Sequence, residues 1–421
     1  MQVNARAPRP WLRSFGNLAA GETVTSVLRL FALLWVARRL GPSDFGTISV
    51  GFVVGGYLVV LANPGLATVG TRSVAAGASS ARHLLTHIVA LRAALAIVGY
   101  ALTLGIVVVL PLDHELRGVL LVFALVIITQ ALDVRWAFIG LQQTRPVAVA
   151  SVAGGLTYLG LALLLVRGPD DLRIVAFAYV CGEAVISAGL LLASRWRLGR
   201  WSPRLRAVTS RALLRESTPL GMAYIGRALA VSLDVILVKA FRPADEAGFY
   251  AAASRMVIVG LLYLGLYYAA LLPSFVQAAR HSPAALRAIT LVSARRVLTF
   301  GPPVLIVCIA LAPRVVTTVL GPDFEPAVGL LQVLLVALWL VSMNAVVNNN
   351  LIASGRERVF ARNVSVALSI NVVTNLILLP TIGTVGAAVA TVATESATLI
   401  LGLVALRTKT TPPTDGAAPS L

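Results

Sequence analysis

Long apolar stretches follow one another along almost the whole chain, and short polar segments separate them. Each stretch is long enough for a helix of about 20 residues, the length that crosses the hydrocarbon core of a bilayer. The stretches are continuous runs rich in Leu, Val and Ala, so they indicate helices rather than the alternating strands of a membrane barrel. They predict twelve transmembrane helices, numbered here as spans one to twelve: 14–37, 46–67, 84–110, 116–134, 146–166, 173–194, 217–240, 247–272, 284–312, 327–350, 359–380 and 384–406.

Composition agrees with a membrane protein. Hydrophobic residues make up 58% of the chain and charged residues 12%, against about 25% charged in soluble domains. The net charge of +18 would suggest nucleic acid as the partner of a soluble protein, but here the basic residues lie in short gaps between apolar stretches. No nucleic-acid partner is therefore expected. Cys181 and Cys308 lie inside apolar stretches, which favours packing roles over a disulfide or a metal site.

The basic residues between the spans are concentrated on one side of the predicted membrane. About 21 Lys and Arg fall on the side that holds both termini, and about 8 fall on the other. The positive-inside rule places both termini in the cytoplasm. Residues 1–13 form the cytoplasmic N-terminus, and span one is too long for a signal peptide and lacks a small-residue cleavage site. Residues 407–421 are expected to be a disordered cytoplasmic tail.

Two halves of the chain carry similar turn motifs. Arg39–Gly46 (RLGPSDFG) follows span one, and Phe241–Tyr250 (FRPADEAGFY) follows span seven. Six helices per half is an even number, so the halves have the same orientation and form a parallel repeat about an axis along the membrane normal. The sequence thus predicts an all-α polytopic fold of two six-helix lobes, 14–194 and 217–406, joined by a basic cytoplasmic loop, 195–216.

Four segments resemble a known transporter family. Ala37–Gly46 with Asn63–Thr68 is similar to the first helical hairpin of polysaccharide flippases, Asp234–Tyr250 is similar to its counterpart in the second half, and Asn371–Thr391 is the strongest match. The chain resembles the Wzx-like polysaccharide and O-antigen flippases over residues 12–406. These proteins form the polysaccharide transporter branch of the MOP superfamily, which also contains the multidrug (MATE) exporters and lipid II flippases.

The resemblance implies a V-shaped transporter whose two lobes give alternating access to a central cavity. It also implies a substrate, an undecaprenyl-pyrophosphate-linked oligosaccharide that is moved to the outer leaflet of the bacterial cytoplasmic membrane for surface polysaccharide or lipopolysaccharide. Its implied partners are this polyprenyl-pyrophosphate-linked oligosaccharide, membrane lipid and a polysaccharide polymerase. No cofactor is implied, and transport is expected to be driven by a Na⁺ or H⁺ gradient.

Ionisable residues within the spans are the first candidates for function, because a charge in the middle of a bilayer is costly unless it faces a cavity or a partner. Span one carries Glu22 and Arg29, and span seven carries Arg227 and Asp234. Seven residues separate the members of each pair, so each pair lies on one helix face roughly 10 Å apart. Glu22 is predicted to approach Arg227, and Arg29 to approach Asp234. Asp234 also matches a recurrent acidic position of the resembled family.

Three arginines are candidates for binding the diphosphate: Arg29, Arg227 and Arg255. A guanidinium group binds phosphate oxygens in a bidentate manner and keeps its charge when partly buried. Glu183 and Glu395 lie near the middle of spans six and twelve, and with Glu22 and Asp234 they are candidates for ion coupling or charge pairing. A purely structural role in helix packing is the alternative for all of these groups.

Amide side chains form a second set of candidates for substrate binding: Asn344 in span ten, and Asn371 and Asn375 in span eleven. Amides inside a membrane usually form hydrogen bonds between helices. Hydrogen bonding to sugar hydroxyls is the alternative role, and the sequence leaves both roles open.

Other functions are less well supported by the sequence. The chain has no Walker loop, HExxH motif or nucleophile elbow, which argues against an enzyme. A multidrug or cation antiporter of the same superfamily is the first alternative, but its cavity would be acidic rather than rich in arginine. A lipid II flippase would favour fourteen helices, and a non-transporting scaffold for polysaccharide enzymes would gain little from charges within the membrane.

Overall fold

The computed structural model describes residues 10–75, 81–199 and 207–407, and these residues are almost entirely α-helical. Ten stretches of the described residues are long and apolar enough to cross a membrane. One of them, Gly16–Ala62, has 47 residues, roughly twice the length that one crossing requires. Span seven lies in another helix, Ala207–Phe241, which is not among these ten stretches. The predicted all-α, polytopic membrane fold is confirmed.

The helices agree closely with most of the predicted spans. Span five was predicted over 146–166, for example, and the corresponding helix is Arg145–Leu165. Short 3₁₀ turns occupy Pro169–Asp171 and Pro322–Phe324. The α-helices are α1 Pro10–Ala62, α2 Leu66–Ala75, α3 Ala81–Val109, α4 His114–Ala124, α5 Val126–Ala131, α6 Arg135–Gly140, α7 Arg145–Leu165, α8 Leu172–Leu198, α9 Ala207–Phe241, α10 Ala244–His281, α11 Pro283–Val319, α12 Ala327–Ala353, α13 Glu357–Ile382 and α14 Thr384–Arg407.

Spans one and two are joined within α1 by a kink at Gly41. This glycine has φ 73° and ψ 176°, a backbone conformation that is essentially restricted to glycine. Pro42 follows it and has no backbone N–H to continue the helical hydrogen bonds. The turn motif of the first half is therefore a kink between two helices rather than a loop.

Span four lies in one stretch that can cross a membrane, His114–Gly140, but it is not one continuous helix. Breaks at Leu125 and at 132–134 separate α4, α5 and α6. A further short helix, α2, lies mostly between spans two and three. At the second break the Asp133 carbonyl accepts a hydrogen bond from Arg92 (2.6 Å), and the nearby Thr129 carbonyl accepts one from Ser187 (2.7 Å). Side chains from other helices therefore bond carbonyl groups at this broken segment, as a membrane interior requires.

The chain divides into two compact units, which we call unit 1 and unit 2. Unit 1 comprises the residues up to Ala251 together with Thr318–Phe324, and unit 2 comprises Ala252–Thr317 and the residues from Glu325 onwards. The unit boundary at Ala251 does not coincide with the predicted lobe boundary in the basic loop, 195–216. Residues 200–206 of that loop lie outside the described part of the structure. The division into lobes at 14–194 and 217–406, and the parallel repeat, stay predictions.

Unit 1 is held together by close helix packing. One buried cluster surrounds Trp136 and Phe138 of α6 and includes Leu66 of α2 and Ile88 of α3. Gly154 of α7 lies against α8, where any side chain at this position would meet the Gly182 carbonyl. Small residues at such contacts allow two membrane helices to approach closely. This packing places α1, α5, α6 and α8 together, and these helices carry most of the charged residues described below.

Unit 2 has a smaller buried cluster. Tyr268 and Phe275 of α10 pack with Leu286 of α11 and Val346 of α12, and α14 packs against both α12 and α13. Gly383 ends α13 with φ 68°, which allows the chain to reverse directly into α14. Unit 2 therefore consists of long helices, and α14 packs against both of the helices that precede it.

Candidate functional site

Unit 1 contains a cluster of charged side chains within its membrane-spanning helices. It forms where α1, α3 and α8 meet the broken segment α5–α6. Its acidic and basic members are equal in number, so the cluster as a whole is close to neutral when every group is charged. The members are Glu22, Asp133, Glu183, Arg29, Arg92 and Arg135.

The first contact in the cluster joins α1 to α8. Arg29 Nη2 donates to Glu183 Oε1 at 2.5 Å, and Gln130 Nε2 donates to the other carboxylate oxygen at 3.0 Å. The Glu183 side chain is 5% exposed, whereas the Arg29 side chain is 37% exposed. Glu183 is therefore a buried anion held by two donors, whereas part of the Arg29 side chain is open to the space outside the packed helices.

The second contact is formed at the break before α6. The Arg135 backbone N–H donates to Asp133 Oδ1 at 2.8 Å, and its side-chain Nε donates to Oδ2 at 2.6 Å. Arg135 Nη1 also lies 3.8 Å from Glu22 Oε1. The sequence predicts that Asp133 and Arg135 pair at the membrane interface; the pair is present, but Asp133 is buried. Arg135 thus links the break to Glu22 of α1.

Arg92 completes the cluster from α3. It is 2% exposed, and its Nη1 donates to the Asp133 carbonyl at 2.6 Å. Sequence reasoning missed Arg92 and Gln130 as members of the site. Arg92 lies inside span three, so the rule that a charge within a span needs a partner would have identified it. Gln130 is uncharged and gave no comparable signal.

Asp234 lies near the end of α9, in unit 1. The Tyr250 hydroxyl donates to its Oδ2 at 3.1 Å. The predicted approach of Arg29 to Asp234 is replaced by the contact of Arg29 with Glu183. The Arg227 side chain lies outside the described part of the structure, so its predicted approach to Glu22 stays a prediction.

Unit 2 brings together two of the predicted residues from different helices. Asn344 belongs to α12 and Glu395 to α14. Asn344 Nδ2 donates to Glu395 Oε2 at 2.7 Å and to the Glu395 carbonyl at 2.9 Å. Asn344 is 3% exposed and Glu395 is half-buried. The amide therefore holds the carboxylate in place between α12 and α14.

The remaining candidates of unit 2 do not join this pair through the hydrogen bonds described. Asn375 Nδ2 donates to the carbonyl and the side-chain oxygen of Asn371 at 3.0 and 3.2 Å, so these two amides bond along α13. Arg255 is half-buried in α10. Among the described residues, His, Cys, Asp and Glu side chains form no group of three that would suit a metal ion.

A sequence profile described as "Polysaccharide biosynthesis protein" matches residues 11–279, which is more than half of the chain. The chain belongs to this polysaccharide biosynthesis protein family. The match covers all of the charged cluster of unit 1. It confirms the family to which the turn motifs and the Asn371–Thr391 segment pointed.

Individual relatives agree with this family. The chain is 22% identical to the "Probable low-salt glycan biosynthesis flippase Agl15" of Haloferax volcanii over 385 residues, which cover 86% of this chain and 76% of that protein. Among solved structures, the lipid II flippase MurJ in its inward closed conformation has a TM-score of 0.73 at 12% identity, covering 93% of this chain and 87% of MurJ. An inward-facing multidrug resistance MATE transporter of the MOP superfamily has a TM-score of 0.70 at 15% identity, covering 93% and 98%.

The two structural similarities show a fold shared with MOP transporters. The predicted MOP-type fold is therefore confirmed. The relatives are described as a flippase and as transporters rather than as enzymes, in agreement with the sequence prediction of a membrane transporter.

Proposed function

We propose that this protein is a flippase that moves an oligosaccharide linked to undecaprenyl pyrophosphate across the bacterial cytoplasmic membrane. The observation that carries the proposal is the charged cluster of unit 1. Arg29 and Arg135 are partly exposed within membrane helices, while Glu183 and Asp133 hold them from the buried side. The name of the Haloferax volcanii relative, a probable flippase in glycan biosynthesis, supports the same function.

The geometry suits a diphosphate group. Arginine binds phosphate oxygens through parallel N–H groups and stays charged in a medium of low polarity. Arg29 and Arg135 are oriented in advance by their carboxylate partners, so less side-chain freedom is lost when a substrate binds. Sugar hydroxyl groups would then bond to amides such as Asn344, Asn371 and Asn375, and Arg227 and Arg255 would contribute further positive charge.

The balance of charge in the cluster supports coupling to a cation. Three arginines face three carboxylates, so a bound diphosphate adds negative charge that nothing in the cluster neutralises. Uptake of H⁺ or Na⁺ by a carboxylate would restore the balance. We propose Glu22 and Glu183 of unit 1, with Asp234 and Glu395 as further candidates, for this role.

The same proposal includes an orientation and partners. Both termini would lie in the cytoplasm, because the basic segments fall on their side of the membrane. Oligosaccharide would enter from the cytoplasmic leaflet and be delivered to a polysaccharide polymerase outside. Accessibility of single cysteines introduced near Arg145 and near Arg117 to a membrane-impermeant thiol reagent, in a background without Cys181 and Cys308, would test this orientation.

The deciding experiment deletes the gene and measures lipid-linked oligosaccharide on each side of the membrane. Accumulation on the cytoplasmic side with loss of surface polymer, restored by the wild-type gene, is the expected result. Normal surface glycans with altered sensitivity to cationic compounds would favour the multidrug antiporter, and arrest of cell-wall synthesis would favour a lipid II flippase. Full activity from a variant that transports nothing in purified vesicles would favour the scaffold.

A further inference from the structure

Unit 2 contains a cavity of about 1060 Å³ that is separate from its Asn344–Glu395 pair. It lies where the C-terminal ends of α10, α12 and α14 meet the beginning of α11. All four arginines that line it are near these helix ends: Arg280, Arg287, Arg356 and Arg407. Asp and Glu do not occur among its lining residues, so the described cavity has a strongly positive mouth.

The depth of the cavity corresponds to one leaflet of a membrane. Along α12 its lining runs from Met343 to Ser354, and along α14 from Leu399 to Arg407. At 1.5 Å per residue these segments span roughly 12–16 Å, and half of the hydrocarbon core is about 15 Å thick. The cavity therefore extends from the helix ends to about the middle of the bilayer.

The interior of the cavity is mainly apolar. Leu286, Val346 and Val347 form part of its wall, and Leu399 and Leu403 of α14 line the same space. Asn350, one of the few polar residues there, uses its Nδ2 to donate to the Thr290 hydroxyl at 2.7 Å. Because these two polar side chains are bonded to each other, the wall is better suited to a hydrocarbon chain than to a sugar.

The mouth is fixed by a contact between helix ends. Arg356 Nη1 donates to the Ala405 carbonyl at 2.7 Å, which ties the beginning of α13 to the end of α14. Arg280 and Arg287 are exposed and lie on either side of the short turn between α10 and α11. The mouth thus combines one anchored and two solvent-exposed guanidinium groups, together with Arg407, above an apolar interior.

We propose that this cavity binds an anionic membrane phospholipid, with its phosphate at the four arginines and an acyl chain in the apolar interior. Guanidinium groups match phosphate oxygens, and clusters of basic residues at a membrane surface select anionic lipid headgroups. The site is independent of the flippase proposal, because the phospholipid is a resident ligand and not the transported substrate.

The test measures lipid binding to the full chain in detergent by native mass spectrometry. Phosphatidylglycerol and phosphatidylcholine are titrated separately against wild type, Arg280→Gln/Arg287→Gln and Leu403→Trp. We expect wild type to prefer phosphatidylglycerol, and the double arginine variant to bind it roughly 20- to 30-fold more weakly. Leu403→Trp should also lose binding, because it fills the cavity without altering charge. The matched control is Arg295→Gln/Arg296→Gln, which removes two exposed arginines of α11 outside the cavity.

Several results would overturn the proposal. Equal loss of binding in the control would indicate a general surface effect, and equal affinity for phosphatidylcholine would remove the role of the arginines. Unchanged binding by Leu403→Trp would exclude an acyl chain in the cavity. Displacement of phosphatidylglycerol by a polyprenyl diphosphate, with the same dependence on Arg280 and Arg287, would make the transported carrier the occupant instead. Thermal unfolding of each variant establishes that it is folded, so a flippase assay is not needed to interpret these results.

Discussion

Arg29 and Glu183 are 154 residues apart in the sequence, yet their side chains form an ion pair at 2.5 Å between α1 and α8. The pair is asymmetric, because the carboxylate is buried and the guanidinium group is partly exposed. A buried carboxylate that loses its donor is costly, whereas a partly exposed arginine is less strongly desolvated and loses less when its partner is removed. Glu183 therefore depends on Arg29 more than Arg29 depends on Glu183.

This asymmetry gives the first prediction. Arg29→Gln should lower the free energy of unfolding by about 1–3 kcal/mol, since it removes a charged donor from the buried Glu183. Combining it with Glu183→Gln should recover much of this loss, because two neutral amides can bond to each other. Thermal unfolding of the purified variants in detergent measures both effects.

Function should respond differently from stability in the same variants. The double variant is expected to fold but to remain inactive in oligosaccharide export, since the cation for the diphosphate is gone. Glu246→Gln is the matched control, because the Glu246 carboxylate is more exposed than that of Glu183 and its ion pair with Arg242 links residues only four apart, where such pairs contribute below about 1 kcal/mol. Full export by the double variant would contradict a role of Arg29 in substrate binding.

Arg135→Lys is the second prediction. Arg135 contacts Asp133 through Nε and lies near Glu22 through Nη1, and a lysine has only one nitrogen with which to reach both carboxylates. We expect a folded protein in which export falls about tenfold or more. Arg145→Lys, an exposed arginine at the beginning of α7, should be neutral. Export and unfolding temperature measured side by side would separate the two roles, and normal export by Arg135→Lys would exclude a need for the two-sided contact.

The sequence was sufficient for the helices but not for the contacts between them. Spans five, six and ten to twelve agree with α7, α8 and α12–α14 to within a few residues, because length and apolarity alone define a membrane helix. At the second break of span four, carbonyl groups accept hydrogen bonds from Arg92 and Ser187, which belong to other helices. No local pattern in the sequence reveals these contacts.

Charge partners were equally hard to predict. Glu22, Arg29 and Glu183 were identified by one rule, that a charge inside a span marks a cavity or a partner. The rule does not say which charges meet, and Arg29 was predicted to approach Asp234, whereas it contacts Glu183. Such pairings follow from the packing of α1 on α8, which the sequence pattern alone does not specify.

The third prediction concerns the Asn344–Glu395 contact of unit 2. Asn344→Ala should destabilise the protein by about 1–3 kcal/mol, since it removes two hydrogen bonds from a largely buried amide and leaves Glu395 short of a donor. Asn344→Asp should be worse, because it places a second carboxylate beside the first. Asn348→Ala, a half-buried position one turn along α12, is the control for removing an amide. Equal unfolding temperatures for Asn344→Ala and wild type would show that the contact contributes little.

The last prediction tests the contact between the two turn motifs, Arg39–Gly46 and Phe241–Tyr250. Both motifs belong to unit 1, and they lie against each other. A side chain at Gly248 would overlap the Pro42 carbonyl, and one at Gly46 would overlap the Ala244 carbonyl. Both obstacles are backbone atoms, so neither can move aside as a flexible side chain would. Gly248→Ala should therefore cost about 1–3 kcal/mol in unfolding free energy, although alanine is otherwise the better helix former. Gly56→Ala in α1, where a side chain would meet nothing within 4 Å, should be neutral or slightly stabilising. If both substitutions have the same effect on thermal unfolding, close approach of the two motifs is not what requires glycine at position 248.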